Sequence, residues 1–311
     1  MQDPRTRILL MLGILLAGLG AIVILQAQSL GKLRMIFCDV GQGDAILVIT
    51  PGGREILVDG GPGSRVLGCL SNSVPFWDRT IDAVFLTHPQ QDHMEGLVGV
   101  LANYKVKMIG TTGTRNQTAL FNVWQKAAVD ENTRMYTPKK GDKLILDSSQ
   151  GSDVTIEILW PHFAESNSAS RGKPSIALAS EGKPSIEEWR ANPPKDLNES
   201  SIVMRVTYGS ICAYLTGDIP KEILQTVIDK PCQVLKVAHH GSKTGTNLEV
   251  LDAARPQLAI IQLGKNNRFG HPHKEVVDSL NSKGVKILRN DMLGTIEVET
   301  DGKSLSIKGQ K

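Results

Sequence analysis

The chain has 311 residues, enough for one large domain or two modest ones with a real core. Its formal net charge of +3 is too small to announce a polyanionic partner by bulk charge. Its four cysteines, Cys38, Cys69, Cys212 and Cys232, contain no C-x-x-C pair, which excludes a cysteine-built zinc site and leaves the redox compartment open.

The run from Ile8 to Leu25 carries no charge and would span roughly 27 Å as a helix, close to a ~30 Å hydrocarbon core. Arg5 and Arg7 precede it, as expected of a cytoplasmic tail, while Lys32 and Arg34 follow it. We read residues 1–28 as a tail and one retained transmembrane helix, with residues 29–311 forming an extracytoplasmic domain at the cell membrane. Secretion after signal cleavage is the alternative, although Leu25-Gln26-Ala27 is a poor cleavage site.

Beyond that run, MIFCDV, AILVIT, EILVDGG and AVFLTH read as strands. THPQQDH (87–93) reads as a turn, followed by a helix from about Gly96 to Tyr104. VTIEILW, SIVMRVTYG, ICAYLTGD, VLKVAHH, LAIIQLG and VKILRN are further strands, with helices at Lys221–Ile228, Leu248–Ala254 and Lys274–Lys283. This order suits layered sheets covered by helices. Residues 162–198 are rich in Ser, Pro, Lys, Ala and Glu and repeat GKPSI, as expected of a flexible surface insertion.

Six of the seven histidines fall in three pairs at or soon after strand ends: His88/His93, His239/His240 and His271/His273. Clusters at successive strand ends can converge on one rim of a sheet, and imidazoles beside carboxylates suit zinc or similar divalent ions. Asp59 and Asp218 occupy the same kind of position, and Asp218 is the natural carboxylate to bridge two ions.

The ordered motifs CDVGQGDAILV (38–48), ILVDGG (56–61), THPQQDHMEGL (87–97), YLTGDI (214–219), KVAHHGSKTGT (236–246) and NRFGHPH (267–273) resemble the metallo-β-lactamase-type domain of the ComEC family of competence proteins. The resemblance covers about residues 33–300 and implies an α/β fold, a four-layer αβ/βα sandwich with divalent metal, one or two ions (Zn or Mn), along one edge. It would make His88 a ligand of the first ion, Asp92, His93 and His271 ligands of the second, and Asp218 the bridge. His239 and His240 would ligate or hold a phosphate, and with Asp92 they are the candidate catalytic residues. Asp59 would orient the THPQQDH loop. Asp39, Gln42, Asp44, Ser242 and Lys243 would face the site, and His273 matches no ligand. Gln90 stands where the related pattern has His or Asp, and an amide is a weaker ligand. Asn198-Glu199-Ser200-Ser201 lies where lactamase-type relatives place another histidine.

Three functions follow as expectations. The first is a metal-dependent phosphodiesterase or nuclease acting on DNA outside the membrane. The second is a hydrolase of another ester, such as a phosphocholine ester, a lactam or a lactone. The third is a membrane-tethered binding module without turnover, suggested by Gln90. Lys105, Lys107, Lys139, Lys140 and Lys143 are candidates for a basic groove that would favour DNA.

Overall fold

The computed structural model describes residues 31–130, 133–148, 153–161 and 194–309, with Met11, Gly13, Ile14 and Gly18. Most of Ile8–Leu25 and residues 162–193 therefore lie outside the described residues. Among the described residues no helix is long and apolar enough to cross a membrane. The far end of the expected insertion is ordered: Asp196 Oδ1 accepts from Asn198 N (3.0 Å) and caps a short turn of 3-10 helix at Leu197–Ser200.

In chain order the elements are β1 (Leu33–Phe37), β2 (Ile46–Ile49), β3 (Glu55–Val58), α1 (Arg65–Ser73), β4 (Thr80–Ile81), β5 (Ala83–Leu86) and α2 (Gln91–Asn103). There follow β6 (Lys105–Val106), β7 (Met108–Thr111), α3 (Ala119–Asp130), β8 (Arg134–Tyr136), β9 (Lys143–Asp147), β10 (Val154–Trp160), β11 (Val203–Tyr208) and β12 (Ile211–Leu215). The rest are α4 (Lys221–Val227), β13 (Val234–Lys236), α5 (Leu248–Ala254), β14 (Leu258–Ile261), α6 (Lys274–Ser282), β15 (Lys286–Arg289), α7 (Asn290–Leu293), β16 (Ile296–Thr300) and β17 (Leu305–Gly309).

Two large sheets carry the fold. One runs β17-β16-β1-β2-β3-β5-β7-β8, the other β15-β14-β13-β12-β11-β10-β9. Strand alternation explains how they layer. Met35, Phe37, Ile46, Val48, Ile56 and Val58 point inward and meet Ile156, Met204 and Val206 of the opposite sheet. The alternate residues Ile36, Leu47 and Leu57 face outward against α1, α2 and α3. On the far side Tyr214, Leu235 and Ala259 pack under α4, α5 and α6. The expected αβ/βα sandwich is the fold found. All four cysteines pair: Cys38 with Cys69, which ties α1 to the end of β1, and Cys212 with Cys232, which ties β12 to the loop before β13.

Glu55 begins β3 and is buried. Burial, with Asp78 and Asp82 close by, pushes its carboxyl up to about 8, and Arg34 and Lys107 offset this only in part. The group is therefore protonated in the fold but ionised in the unfolded chain between pH 4.5 and about 8. Folding takes up a proton in that window, so stability falls as pH rises through it and levels off above. Thermal melts across that range should lose several degrees in the parent and much less in Glu55→Gln. Equal slopes in both proteins would remove Glu55 as the cause.

Candidate metal centre

The strand ends of both sheets converge on one edge. Asp59 follows β3 with a left-handed backbone (φ 60°), a conformation a non-glycine residue keeps only where its surroundings hold it. Its carboxylate accepts from Thr87 N (2.8 Å) and Thr87 Oγ1 (2.7 Å) just beyond β5, and meets His93 Nδ1 at 2.8 Å. The expected turn at THPQQDH is shorter than its polar composition suggested. Helix α2 starts at Gln91, five residues earlier than expected, with Asp92 in its first turn where a carboxylate suits the helix dipole. The Gln90 carbonyl accepts from His93 N and Met94 N, so the backbone of Gln90 opens the helix. A close backbone approach seats this helix. A Cβ on Gly96 would lie 2.0 Å from Gly60 O, and Gly60 N donates to His93 O (2.7 Å).

From the other sheet, Thr216-Gly217 carries β12 into Asp218. Beyond β13, His239, His240 and Gly241 have φ of 52°, 53° and 81°, three successive left-handed residues. This turn brings both imidazoles toward Asp218. Asp218 Oδ2 lies 3.3 Å from His93 Nε2, 3.2 Å from His240 Nε2 and 3.9 Å from His239 Nε2, and His240 Nε2 lies 3.4 Å from Asp92 Oδ2. Donor atoms of Asp92, His93, Asp218 and His240 all fall within 4.8 Å of one another.

A profile of the metallo-beta-lactamase superfamily matches residues 38–265. The chain belongs to that superfamily. It is 31% identical over 298 residues to ComE operon protein 3 of Bacillus subtilis (strain 168), covering 87% of this chain and 33% of the relative. It is 26% identical over 267 residues to Recombination protein 2 of Haemophilus influenzae, covering 84% of this chain and 28% of that protein. The chain thus spans about a third of the length of these curated relatives, a pattern consistent with the ComEC-family resemblance of its motifs. Among solved structures, the metallo-beta-lactamase fold protein YhfI of Bacillus subtilis superposes with a TM-score of 0.50 at 14% identity, covering 89% of this chain and 100% of that one, which shows the shared fold.

The metallo-beta-lactamase edge of this chain has the chemistry of a cation site. Nε2 of His88, His93 and His240 are buried with no hydrogen-bond partner among the described residues, as imidazoles awaiting an ion would be. The opposite nitrogens are held, His93 Nδ1 by Asp59 (2.8 Å) and His240 Nδ1 by the Gln262 carbonyl (2.9 Å) and Asp44 Oδ1 (3.3 Å). Such partners fix the tautomer and ring orientation that a metal needs. Two imidazoles and two carboxylates form a donor set suited to a divalent ion of the zinc or iron class.

The electrostatics agree. Burial pushes the Asp92 carboxyl up, but the close His240 imidazole and the His93 charge outweigh this and hold it well below the usual range. Burial works against protonating His93 and His240 as well, yet Asp218 foremost, with Asp59 and Asp44, raises both well above their ordinary value. A cation entering here takes the place of protons, so affinity for it rises with pH. His88, buried and beside His93, is pushed down to about 3 and stays neutral.

The placement of the candidates differs from the expectation at His271. His240, not His271, completes the four-donor cluster, because β13 lies directly beside β12 and its end turns back over Asp218. The His271 ring stands 6.4 Å from that of His240 and 5.8 Å from that of His239, outside the four-donor cluster, with its own Nδ1 buried and without a hydrogen-bond partner among the described residues. His88 lies beside the cluster, its ring 4.1 Å from that of His93. Ser201, from the NESS segment, contacts His88 Nδ1 (3.3 Å) and accepts from Asp218 N (3.2 Å). Asp44 is buried behind the imidazoles, and Gln42 Oε1 accepts from Gly264 N (3.3 Å). Asp39 Oδ1 accepts from Gly41 N (3.3 Å) and shapes its own turn. Ser242 Oγ pairs with Thr244 Oγ1 (2.9 Å), while Lys243 is exposed and its N–H donates to His273 Nδ1 (3.1 Å).

The residue that the sequence reading missed is Lys236. It is fully buried, its ammonium pairs with Asp44 Oδ2, donates to Gly217 O (2.9 Å) and lies 3.6 Å from Asp218 Oδ1. Lysine is almost never fully buried unless paired, so a lysine inside the apolar strand VLKV was the available signal.

Proposed function

We propose that the domain is a metal-dependent phosphodiesterase cutting nucleic acid outside the cytoplasmic membrane, tethered there by Ile8–Leu25. The observation that carries this reading is the four-donor cluster of Asp92, His93, Asp218 and His240 at an accessible edge of a metallo-beta-lactamase sandwich. The names of the curated relatives point the same way, toward competence and recombination. Two disulfides suit an oxidising compartment outside the cytoplasm.

In this mechanism Asp92, His93, Asp218 and His240 would hold one divalent ion, and His88 would offer its Nε2 toward a second. A bound ion would supply Lewis acidity at a phosphoryl oxygen and lower the pKa of water. The chain's own residues do the rest. Asp59 and Gln262 keep the two imidazoles oriented. Asp92 stays ionised and would orient the attacking water, whose proton would pass to His239. His239 is only partly buried and its Nδ1 is tied to Thr244 Oγ1 (3.2 Å), so its Nε2 is free to meet the substrate. Burial lowers its pKa, keeping it neutral and able to accept or hand on a proton.

The purified chain, supplied with Mn²⁺ or Zn²⁺, should cut DNA and bis-p-nitrophenyl phosphate. Neither substrate should be cut after chelation. If both stay intact with either metal while a lactone or lactam is opened, the phosphodiesterase reading fails.

A further inference from the structure

The loop after β14 presents a feature that the proposed chemistry does not use. Phe269 is 50% exposed, yet it lies at the rim of the metal centre. Its ring stacks on that of His271, with centroids 5.7 Å apart and planes inclined by 25°. The His271 ring in turn neighbours those of His239 and His240, so Phe269 stands two rings away from a metal donor. A single exposed phenylalanine is ordinary on a protein surface. This one is rigidly presented.

Asn267 pins the loop on both sides of the aromatic. Its Nδ2 donates to Gly264 O (3.2 Å) and His271 O (2.8 Å), and its Oδ1 accepts from His271 N (2.9 Å). Gly264 N is held by Gln42 from the neighbouring motif. The Arg268 guanidinium lies over the ring, 5.2 Å from its centroid, on a side chain long enough to swing from the ring to a phosphate when a base takes its place, and Lys265 and Lys243 are exposed nearby in sequence or structure.

We propose that Phe269 is a stacking platform for a nucleobase next to the phosphodiester being cut, with Arg268 on the adjoining phosphate. This rests on the phosphodiesterase reading above and narrows its substrate to nucleic acid with unpaired bases. A base can lie on an aromatic face only when it has left its duplex stack, and every base has such a face, so the subsite is tolerant of sequence.

The test uses the metal-loaded chain and two single-stranded oligonucleotides of equal length and charge, one normal and one with abasic residues flanking the labelled linkage. The parent should favour the normal strand in kcat/KM by about five-fold or more, the range of base–aromatic stacking. Phe269→Ala should bring the ratio close to one at full metal content, and Phe269→Tyr should restore it. A ratio near one in the parent, or one that survives Phe269→Ala, overturns the stacking role. If neither strand is cut, the hydrolytic reading fails instead. Fluorescence anisotropy of the same pair then judges the subsite, and equal affinity for both strands would overturn it.

Discussion

Asp218→Ala should lose its tightly held ion and at least about a hundred-fold of activity, since a direct ligand matters more than the supporting partners whose loss costs 10–100-fold. The sign follows from geometry. Asp218 Oδ2 faces His93 Nε2, His240 Nε2 and, more distantly, His239 Nε2, so it is the one anion common to the whole centre. Without it, Asp92 is the one carboxylate left among the four donors, and the Lys236 ammonium nearby loses a balancing charge and disfavours a cation. His240→Ala should behave the same way, whereas His271→Ala should retain the tight ion, because His271 is not among the four donors that converge. Metal content after exhaustive dialysis, measured by elemental analysis, reads the difference directly. A His271→Ala protein that comes out empty while His240→Ala stays loaded would reverse the ligand assignment.

Lys236→Met should destabilise the metal-free fold by about 3–5 kcal/mol, the usual result of removing one partner of a buried ion pair. Methionine fills much of the same volume, so the loss is one of charge. Burial alone would push the Asp44 carboxyl up, and Lys236 first, then His240 and His93, hold it below the usual range. With the ammonium gone, Asp44 and Asp218 face each other's field in a dry interior. A divalent ion at the four donors supplies positive charge on the same side, so saturating Mn²⁺ should recover part of the stability. Chemical denaturation with and without metal checks both halves. A variant as stable as the parent in chelator would show that Lys236 carries no charge balance.

Much of this architecture could be read from residue order. Strands such as AVFL and ICAYL are buried on both faces and stand out as uninterrupted apolar runs. Helix α3 was readable but passed over, since Phe121, Trp124 and Ala128 repeat at helical spacing. Helix α1 was not: RVLGCLSNS carries a glycine, serines and an asparagine, poor helix formers, and is held by Val66, Leu70 and the Cys38–Cys69 staple. The short strands β8 and β9 alternate too weakly to stand out beside a turn-rich stretch. At the site, His88, Asp92, His93 and Asp218 announce themselves as polar residues ending apolar runs. Which of the later histidines reaches them depends on β13 pairing with β12, a long-range fact that no local pattern contains.

The four donors come from opposite walls. Asp92 and His93 belong to the connection leaving β5 of one sheet, Asp218 and His240 to the ends of β12 and β13 of the other. Neither wall alone offers more than half of a coordination shell. Cation affinity is therefore a property of the closed sandwich, and any breathing that parts the walls takes the shell apart. By the same linkage an ion seated there acts as a clasp, tightening the sandwich with each rise in free metal concentration. The edge that does the chemistry is also the latch that keeps the two walls shut.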